Sequence, residues 1–248
     1  MSKIITISNH KGGVGKTTSV INIGAGLNKL GKKVLLIDLD PQANLSESLN
    51  LEDQQYTIYG NIRGEYKIQP IEITKGLHII PSSIDLSGAE VELSSEIGRE
   101  YILKELLEPL RASYDFILID SPPSLGLLTV NAFVSSDMVL IPLQAQYLAL
   151  KGLTKLIDVI DRIKQRLNKE LTIGGVFITL YDQRKVLNRN VVEIINTRFR
   201  DKVFKTKIRE NIALAEAPTN GVNIYSYAPN SNGAEDYLNL SKEILKLK

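Results

Sequence analysis

The sequence has 248 residues, of which 43% are hydrophobic and 23% charged, an ordinary composition for a globular chain with one sizeable core. It contains no cysteine, which excludes disulfide bonds, thiolate zinc sites and cysteine-ligated iron–sulfur clusters. The formal net charge is only +2, so any affinity for nucleic acid has to come from a local basic patch.

Short runs rich in Ile, Val and Leu alternate with longer helical stretches along the chain. The apolar runs are typical of strands covered on both faces, and they are Ile4–Ser8, Lys33–Asp38, Leu77–Pro81, Phe116–Asp120, Met138–Pro142 and Ile173–Thr179. The helical stretches are Thr17–Leu30, Ala89–Arg111, Leu127–Val134, Gly152–Leu167 and Leu187–Phe199. The polar segment Leu51–Lys75 is expected to be an irregular surface excursion, with a short helix as an open alternative, and not a domain boundary. The alternation predicts one α/β domain over residues 1–248, with a doubly wound, mostly parallel sheet and helices on both faces.

The first strand leads directly into a glycine-rich loop and then into the first helix. The loop reads Gly12-Gly13-Val14-Gly15-Lys16-Thr17-Thr18. Glycines let backbone N–H groups approach phosphate oxygens, and the helix N-terminus adds its own donors and dipole. Lys16 supplies a charge for the β- and γ-phosphates, and the Thr17 hydroxyl is placed to bind Mg²⁺. The order of strand, loop and helix therefore predicts a P-loop NTPase.

The loop departs from the general P-loop pattern at two positions. His10 stands where the pattern has its first glycine, and an extra lysine, Lys11, follows it. This Lys-Gly-Gly-x-Gly-Lys-Thr form resembles the deviant Walker A motif of the ParA/MinD family of ATPases. The resemblance implies that Lys11 reaches across a nucleotide-sandwich homodimer to the phosphates of the partner; the alternative is a solvated loop lysine.

Acidic residues follow two of the predicted strands, where parallel strands end at the ligand crevice of a sheet. Asp120 ends an apolar run, as in a Walker B motif, and is expected to hold Mg²⁺ through a water molecule. Asp38-Leu39-Asp40-Pro41-Gln42 resembles the second signature of the ParA family. By that resemblance Asp40 orients the hydrolytic water, and Asp38 is a residue of the Mg²⁺ surroundings or of a switch. A helix-capping role is the alternative for each carboxylate.

The resemblance extends over nearly the whole chain and is nearest to the small ParA/Soj proteins without an N-terminal DNA-binding domain. It includes Ser121–Ala132, Thr179–Asp182, Glu216–Gly221 and Gly233–Glu235. By family analogy Asp182 and Pro218 line the adenine. Guanine-selective P-loop proteins use an [N/T]-K-x-D tetrad, whereas the nearest segment here is Asn168-Lys169-Glu170-Leu171, so ATP with Mg²⁺ is the expected ligand.

The resemblance implies a partitioning ATPase: ATP drives dimerisation, the dimer binds double-stranded DNA nonspecifically, and a ParB-like protein stimulates hydrolysis and release. We expect a cytoplasmic, nucleoid-associated protein, because no apolar run approaches about 20 residues and no secretory signal is evident. A MinD-like membrane-cycling ATPase needs a detached amphipathic C-terminal helix, but Ala234–Lys248 follows its landmark without a linker, so a docked helix is expected. Protein-cargo positioning and a metabolic ATP-using enzyme stay as further alternatives.

Basic residues that the sequence offers for DNA phosphates cluster between positions 184 and 209. ParA relatives often carry arginines just before Glu-Ala-Pro, whereas Ala213 stands at one such position here. The expected DNA contacts are Arg184, Lys185, Arg189, Lys207 and Arg209. Further basic residues are Arg198, Arg200, Lys202 and Lys205. Each single residue has the alternative of being a solvated surface charge.

Overall fold

The computed structural model describes residues 2–146 and 149–247 as strands, helices and their connections. The strands are β1 (Lys3–Ile7), β2 (Val34–Asp38), β3 (Ile71–Thr74), β4 (Leu77–Ile80), β5 (Phe116–Asp120), β6 (Met138–Gln144), β7 (Thr172–Tyr181) and β8 (Val203–Arg209). The helices are α1 (Lys16–Lys29), α2 (Asn44–Glu47), α3 (Ile58–Ile62), α4 (Ala89–Glu92), α5 (Ile102–Leu107), α6 (Leu127–Ser135), α7 (Ala149–Arg166), α8 (Val186–Phe199), α9 (Ala213–Glu216), α10 (Ile224–Tyr227) and α11 (Asn232–Ile244).

The strands form one eight-stranded sheet in the order β3-β4-β2-β5-β1-β6-β7-β8. The pairings are parallel except that of the edge strand β3 with β4. The register places Asp120 beside Ile7 on one side and beside Asp38 on the other. Because parallel strands end at the same edge, this register brings both carboxylates next to the loop that follows β1.

Two apolar cores lie on opposite faces of the sheet and confirm the predicted doubly wound arrangement. One packs β1, β2, β5, β6 and β7 against α5, α6, α7 and α8, and the other packs the sheet against α1, α10 and α11. The last helix, α11, buries Tyr237, Leu240 and Ile244 against the core. The C-terminal helix is therefore docked, as the sequence predicts. Within the described residues, no helix has both the length and the apolarity to span a membrane.

Three expectations about single elements were wrong, each for a local reason. The helix predicted over Ala89–Arg111 is broken into α4 and α5, because Glu96 is extended and Gly98 has a φ of 73°. The segment Leu51–Lys75 contains the strand β3, which was not expected, in addition to the short helix α3. β8 was not predicted. Both missed strands lie at sheet edges and carry polar residues on an exposed face, so they lack the doubly apolar pattern used to find the others.

Candidate functional site

A cavity of about 450 Å³ opens where β1, β2 and β5 end. Its lining is polar on the side of the glycine-rich loop and apolar on the side of β7, β8 and α11. The lining residues are Gly12, Gly13, Gly15, Lys16, Thr17, Thr18, Asp40, Gln42, Asn44, Ser48, Pro123, Thr179, Leu180, Ile208, Arg209, Asn211, Leu214, Ala215 and Tyr237. The cavity therefore collects the loop and the catalytic carboxylate that the sequence predicts, together with neighbours that it did not identify.

The loop between β1 and α1 has a conformation that requires glycine. Gly13 and Gly15 have φ values of 70° and 82°, in the left-handed region that side chains disfavour. Neighbouring polar groups hold this conformation. Thr179 Oγ1 donates to the Val14 carbonyl at 2.9 Å, and Asn9 Nδ2 donates to the Pro142 carbonyl at 2.7 Å. The loop is thus anchored on β6 and β7.

Lys16 is a buried, positively charged residue of the cavity. The residue is only 8% exposed. Burial lowers the pKa of its ammonium, while the nearby carboxylates of Asp120 and Asp40 act in the opposite direction. A cation that lies at a helix N-terminus and is largely removed from water is suited to binding anionic phosphate groups.

Asp120 and Thr17 supply hard oxygen atoms next to Lys16. Thr17 Oγ1 donates to Asp120 Oδ2 at 2.6 Å, whereas Asp120 Oδ1 is buried and has no hydrogen-bond partner. Burial, and then the Asp38 carboxylate, raise the pKa of Asp120 well above its usual value. A divalent cation would offset this cost, and Mg²⁺ prefers such oxygen ligands. The residues present therefore fit a Mg²⁺ ion.

The described residues contain no cluster of three or more His, Asp, Glu or Cys side chains for a metal ion. That finding agrees with the way Mg²⁺ binds beside phosphates, where one or two protein oxygens suffice and waters and phosphate oxygens provide the rest. Asp120 and Thr17 are the residues that would hold it.

Asp40 lines the cavity, whereas Asp38 does not. Asp40 Oδ1 accepts a hydrogen bond from the Gln42 backbone N–H at 3.0 Å. Asp38 is fully buried, and burial raises the pKa of its carboxyl group to about 6. Of these two carboxylates, Asp40 is thus the one that lines the cavity.

The second loop lysine, Lys11, does not line the cavity. Its Nζ donates to Gln146 Oε1 at 2.7 Å and to Gln144 Oε1 at 3.4 Å, at the end of β6. The two lysines of the loop therefore have different surroundings: Lys16 lies inside the cavity, and Lys11 lies outside it.

The two residues expected beside adenine lie outside the main cavity. Asp182 lines an adjoining cavity of about 340 Å³, where it forms an ion pair with Arg184 at 3.0 Å. Pro218 lies in a short 3-10 turn and lines neither cavity. The apolar wall is formed instead by Leu180, Ile208 and Leu214. Leu180 has a φ of 49°, which no sequence pattern indicated.

The five residues expected to contact DNA differ in their partners. Arg184 pairs with Asp182, and Lys185 pairs with Glu210 at 2.9 Å. The guanidinium group of Arg209 lies between Asp236 and Glu235, 2.6 Å from an oxygen of each. These pairs neutralise much of the positive charge that the sequence suggested.

The remaining two expected residues are bound to uncharged groups. Arg189 donates to the Gln183 carbonyl at 2.8 Å, and Lys207 Nζ lies 4.8 Å from the centre of the Tyr181 ring. Neither forms an ion pair within residues 2–146 and 149–247. They keep their positive charge at this surface.

Known proteins resemble this chain over nearly its whole length. The profile of the AAA domain family matches residues 2–173. The chain is 48% identical to the chromosome-partitioning ATPase Soj of Treponema pallidum, over 99% of this chain and 98% of that protein. The chain belongs to the Soj/ParA family of chromosome-partitioning ATPases. The predicted family, fold and ATPase activity are thereby confirmed.

Two solved structures resemble this member of the Soj/ParA family in fold. Cobyrinic acid a,c-diamide synthase of Mycobacterium smegmatis, with a bound ATP analogue and magnesium, has a TM-score of 0.89 and 33% identity over 99% of this chain and 95% of that one. A putative plasmid partition protein of Borrelia burgdorferi bound to AMPPNP has a TM-score of 0.85 and 28% identity, with 99% of each chain covered. The predicted ligands, ATP and Mg²⁺, agree with what these structures hold.

Proposed function

We propose that this Soj/ParA protein is an ATP-dependent partitioning switch that binds ATP with Mg²⁺ and forms a sandwich homodimer. The dimer binds double-stranded DNA without sequence preference on the nucleoid, and hydrolysis stimulated by a ParB-like partner releases it. The observation that carries this proposal is the separation of the two loop lysines, with Lys16 inside the cavity and Lys11 bound to Gln146 and Gln144 outside it.

That separation supports a dimer because Lys11, the lysine outside the cavity, has only weak, uncharged partners among the described residues. The amide oxygens of Gln146 and Gln144 are neutral, so Lys11 can exchange them for phosphate oxygens of a second subunit without leaving a carboxylate unpaired. Lys16 and Asp120 then serve ATP binding within one subunit, whereas Lys11 couples ATP to dimerisation.

Hydrolysis in this proposal depends on positioning and charge. The phosphate loop and Lys16 hold the phosphates, Asp120 and Thr17 hold Mg²⁺, which neutralises charge on the phosphate oxygens, and Asp40 orients the attacking water. Asp40 lies in the cavity, where its Oδ1 already accepts the Gln42 N–H and its second oxygen is available to a water molecule.

The DNA-binding part of the proposal rests on the family and on the residual positive surface. Arg189 and Lys207 keep their charge, and Arg198, Arg200, Lys202 and Lys205 extend the same part of the chain. Two copies in a dimer double this surface, which favours nonspecific contact with phosphates. Arg184 can contribute only if DNA competes with Asp182.

Size-exclusion chromatography with light scattering tests the dimer. Asp40→Ala with ATP and Mg²⁺ is expected to elute as a stable dimer, and with ADP as a monomer, because ATP binding survives while hydrolysis slows. Lipid flotation in the same nucleotide states separates a membrane-cycling role from this one. A monomer in every nucleotide state, or ATP-dependent flotation, would contradict the proposal.

A further inference from the structure

Asp38 is a buried carboxylate next to the cavity, and the proposed hydrolysis assigns it no part. Asp38 is fully buried and does not line the cavity. Its Oδ2 accepts hydrogen bonds from the Ser46 backbone N–H at 2.9 Å and from Ser46 Oγ at 2.7 Å, and its Oδ1 accepts the Asp40 backbone N–H at 3.2 Å. All its contacts therefore point to the segment that carries Asp40.

Ser82 completes this network from the other side. Its backbone N–H donates to Ser46 Oγ at 2.9 Å, and its own Oγ donates to the Asp40 carbonyl at 3.0 Å. The hydrogen bonds thus run in a closed ring through Asp38, Ser46, Ser82 and the backbone of Asp40. Ser46 and Ser82 are both 0% exposed, so water does not replace a lost member of the ring.

We propose that the ring of Asp38, Ser46 and Ser82 positions Asp40 for ATP hydrolysis, so that it controls the hydrolysis rate and leaves ATP affinity unchanged. The proposal rests on the role of Asp40 in the proposed function. The three are positioning residues, since each acts through Asp40.

The donors and acceptors of the ring are consistent with one arrangement of hydrogens. Ser46 has one hydroxyl hydrogen, which it gives to Asp38, and its lone pair accepts the Ser82 N–H. The Ser82 hydroxyl gives its hydrogen to the Asp40 carbonyl. Each position therefore has one role, and an alanine at Ser46 removes two ring bonds at once.

The ring holds a segment that is strained. Ala43 has a φ of 52°, in the left-handed region that alanine disfavours, and its N–H donates to the Asp40 carbonyl at 2.9 Å. A tight turn of this kind persists only where surrounding contacts fix it. The ring supplies those contacts at both the N–H and the carbonyl of Asp40.

Single-turnover ATP hydrolysis and fluorescent ATP binding test the ring. Ser46→Ala and Ser82→Ala are each expected to slow hydrolysis about tenfold, because a displacement of a fraction of an ångström at the water-orienting carboxylate is costly, while the Kd for ATP changes less than about twofold. Ser46→Thr keeps the hydroxyl and is expected to restore the rate.

Ser135→Ala is the matched control, since Ser135 is a buried serine that donates to the Ala132 carbonyl at 2.9 Å, away from the ring. Ser46→Ala and Ser82→Ala open the same ring. The double variant is therefore expected to slow hydrolysis no more than either single variant. In an Asp40→Ala background, adding Ser46→Ala is expected to leave the residual rate unchanged.

Two results separate the failure of this inference from that of the proposed function. If Asp40→Ala hydrolyses ATP at the normal rate, the assigned role of Asp40 is wrong. Suppose instead that Asp40→Ala hydrolyses ATP slowly, while Ser46→Ala and Ser82→Ala are folded and keep the wild-type rate. The ring then does not position Asp40, and the same conclusion holds if these two variants lose rate only together with ATP affinity.

Discussion

Arg209 and Arg184 both line the second cavity, yet the structure predicts different consequences for stability when each is removed. Arg209 donates from its backbone and side chain to Asp236, whose side chain is only 8% exposed, and from NH2 to Glu235. Arg184 is 86% exposed on its side chain and pairs with Asp182 at the surface. Arg209→Ala leaves the buried Asp236 carboxylate without its cationic partner, with the backbone N–H of residue 209 still donating to it. Arg184→Ala removes an exposed cation from Asp182, whose side chain is 13% exposed and lines the second cavity, where water can reach it.

The magnitude follows from burial. Removing one partner of a buried ion pair costs about 3–5 kcal/mol, and the 40% exposure of the Arg209 side chain brings the expected loss in unfolding free energy to about 2–3 kcal/mol. For a chain of 248 residues, that loss lowers Tm by about 5–10 °C. Arg184→Ala is expected to melt within error of the wild-type protein, because an ion pair whose arginine is 86% exposed contributes little.

Urea denaturation and DNA retention on the same two variants check this reasoning. Arg184→Ala is expected to keep its stability and to weaken DNA binding slightly or not at all, since Asp182 already occupies the guanidinium. Arg209→Ala is expected to lose DNA retention only in proportion to its loss of folded protein. Equal stability of the two variants, or specific DNA loss in fully folded Arg209→Ala, would refute the argument.

Three other outcomes are expected. Lys16→Gln abolishes ATP binding in isothermal calorimetry, because the buried cation is lost from the phosphate loop; tight binding would refute the site. Lys11→Ala binds ATP normally but stays monomeric in light scattering, and loss of ATP binding itself would place Lys11 in its own subunit's site. Burial raises the pKa of Asp38 to about 6, so the native state keeps a proton that the unfolded chain has lost between about pH 4 and 6. The contribution of Asp38 to the unfolding free energy therefore falls by about 3 kcal/mol as pH rises through this window. Asp38→Asn removes this contribution, while that of Asp120, whose pKa is also raised, remains; an unchanged pH profile would contradict it.

The sequence predicted those parts of the molecule in which a local pattern has one physical meaning. Buried strands read as continuous apolar runs, and the phosphate loop needs glycine at Gly13 and Gly15, so both were predicted at the right places. Asp40 and Asp120 were predicted for the same reason, because parallel strands end at one edge.

The missed features depend on contacts between distant segments. Ser82 joins the site only because β4 lies beside β2, and Tyr237 lines the cavity only because α11 packs on α1. The ion pair of Arg209 with Asp236 joins β8 to α11, so the sequence, in which Arg209 is one of the expected DNA contacts, could not indicate this pair. Spacing along the chain carries no signal for such pairings.

DNA retention by Asp40→Ala protein tests the central claim most directly, because this variant is expected to hold the ATP-bound state. Fluorescence anisotropy with two duplexes of unrelated sequence, with ATP or ADP and Mg²⁺, measures it across a range of salt concentrations. The account predicts binding with ATP only, equal for both duplexes, with log affinity falling linearly with log salt. Absence of DNA binding with ATP even at low salt, in protein that light scattering shows to be dimeric, would contradict the partitioning function.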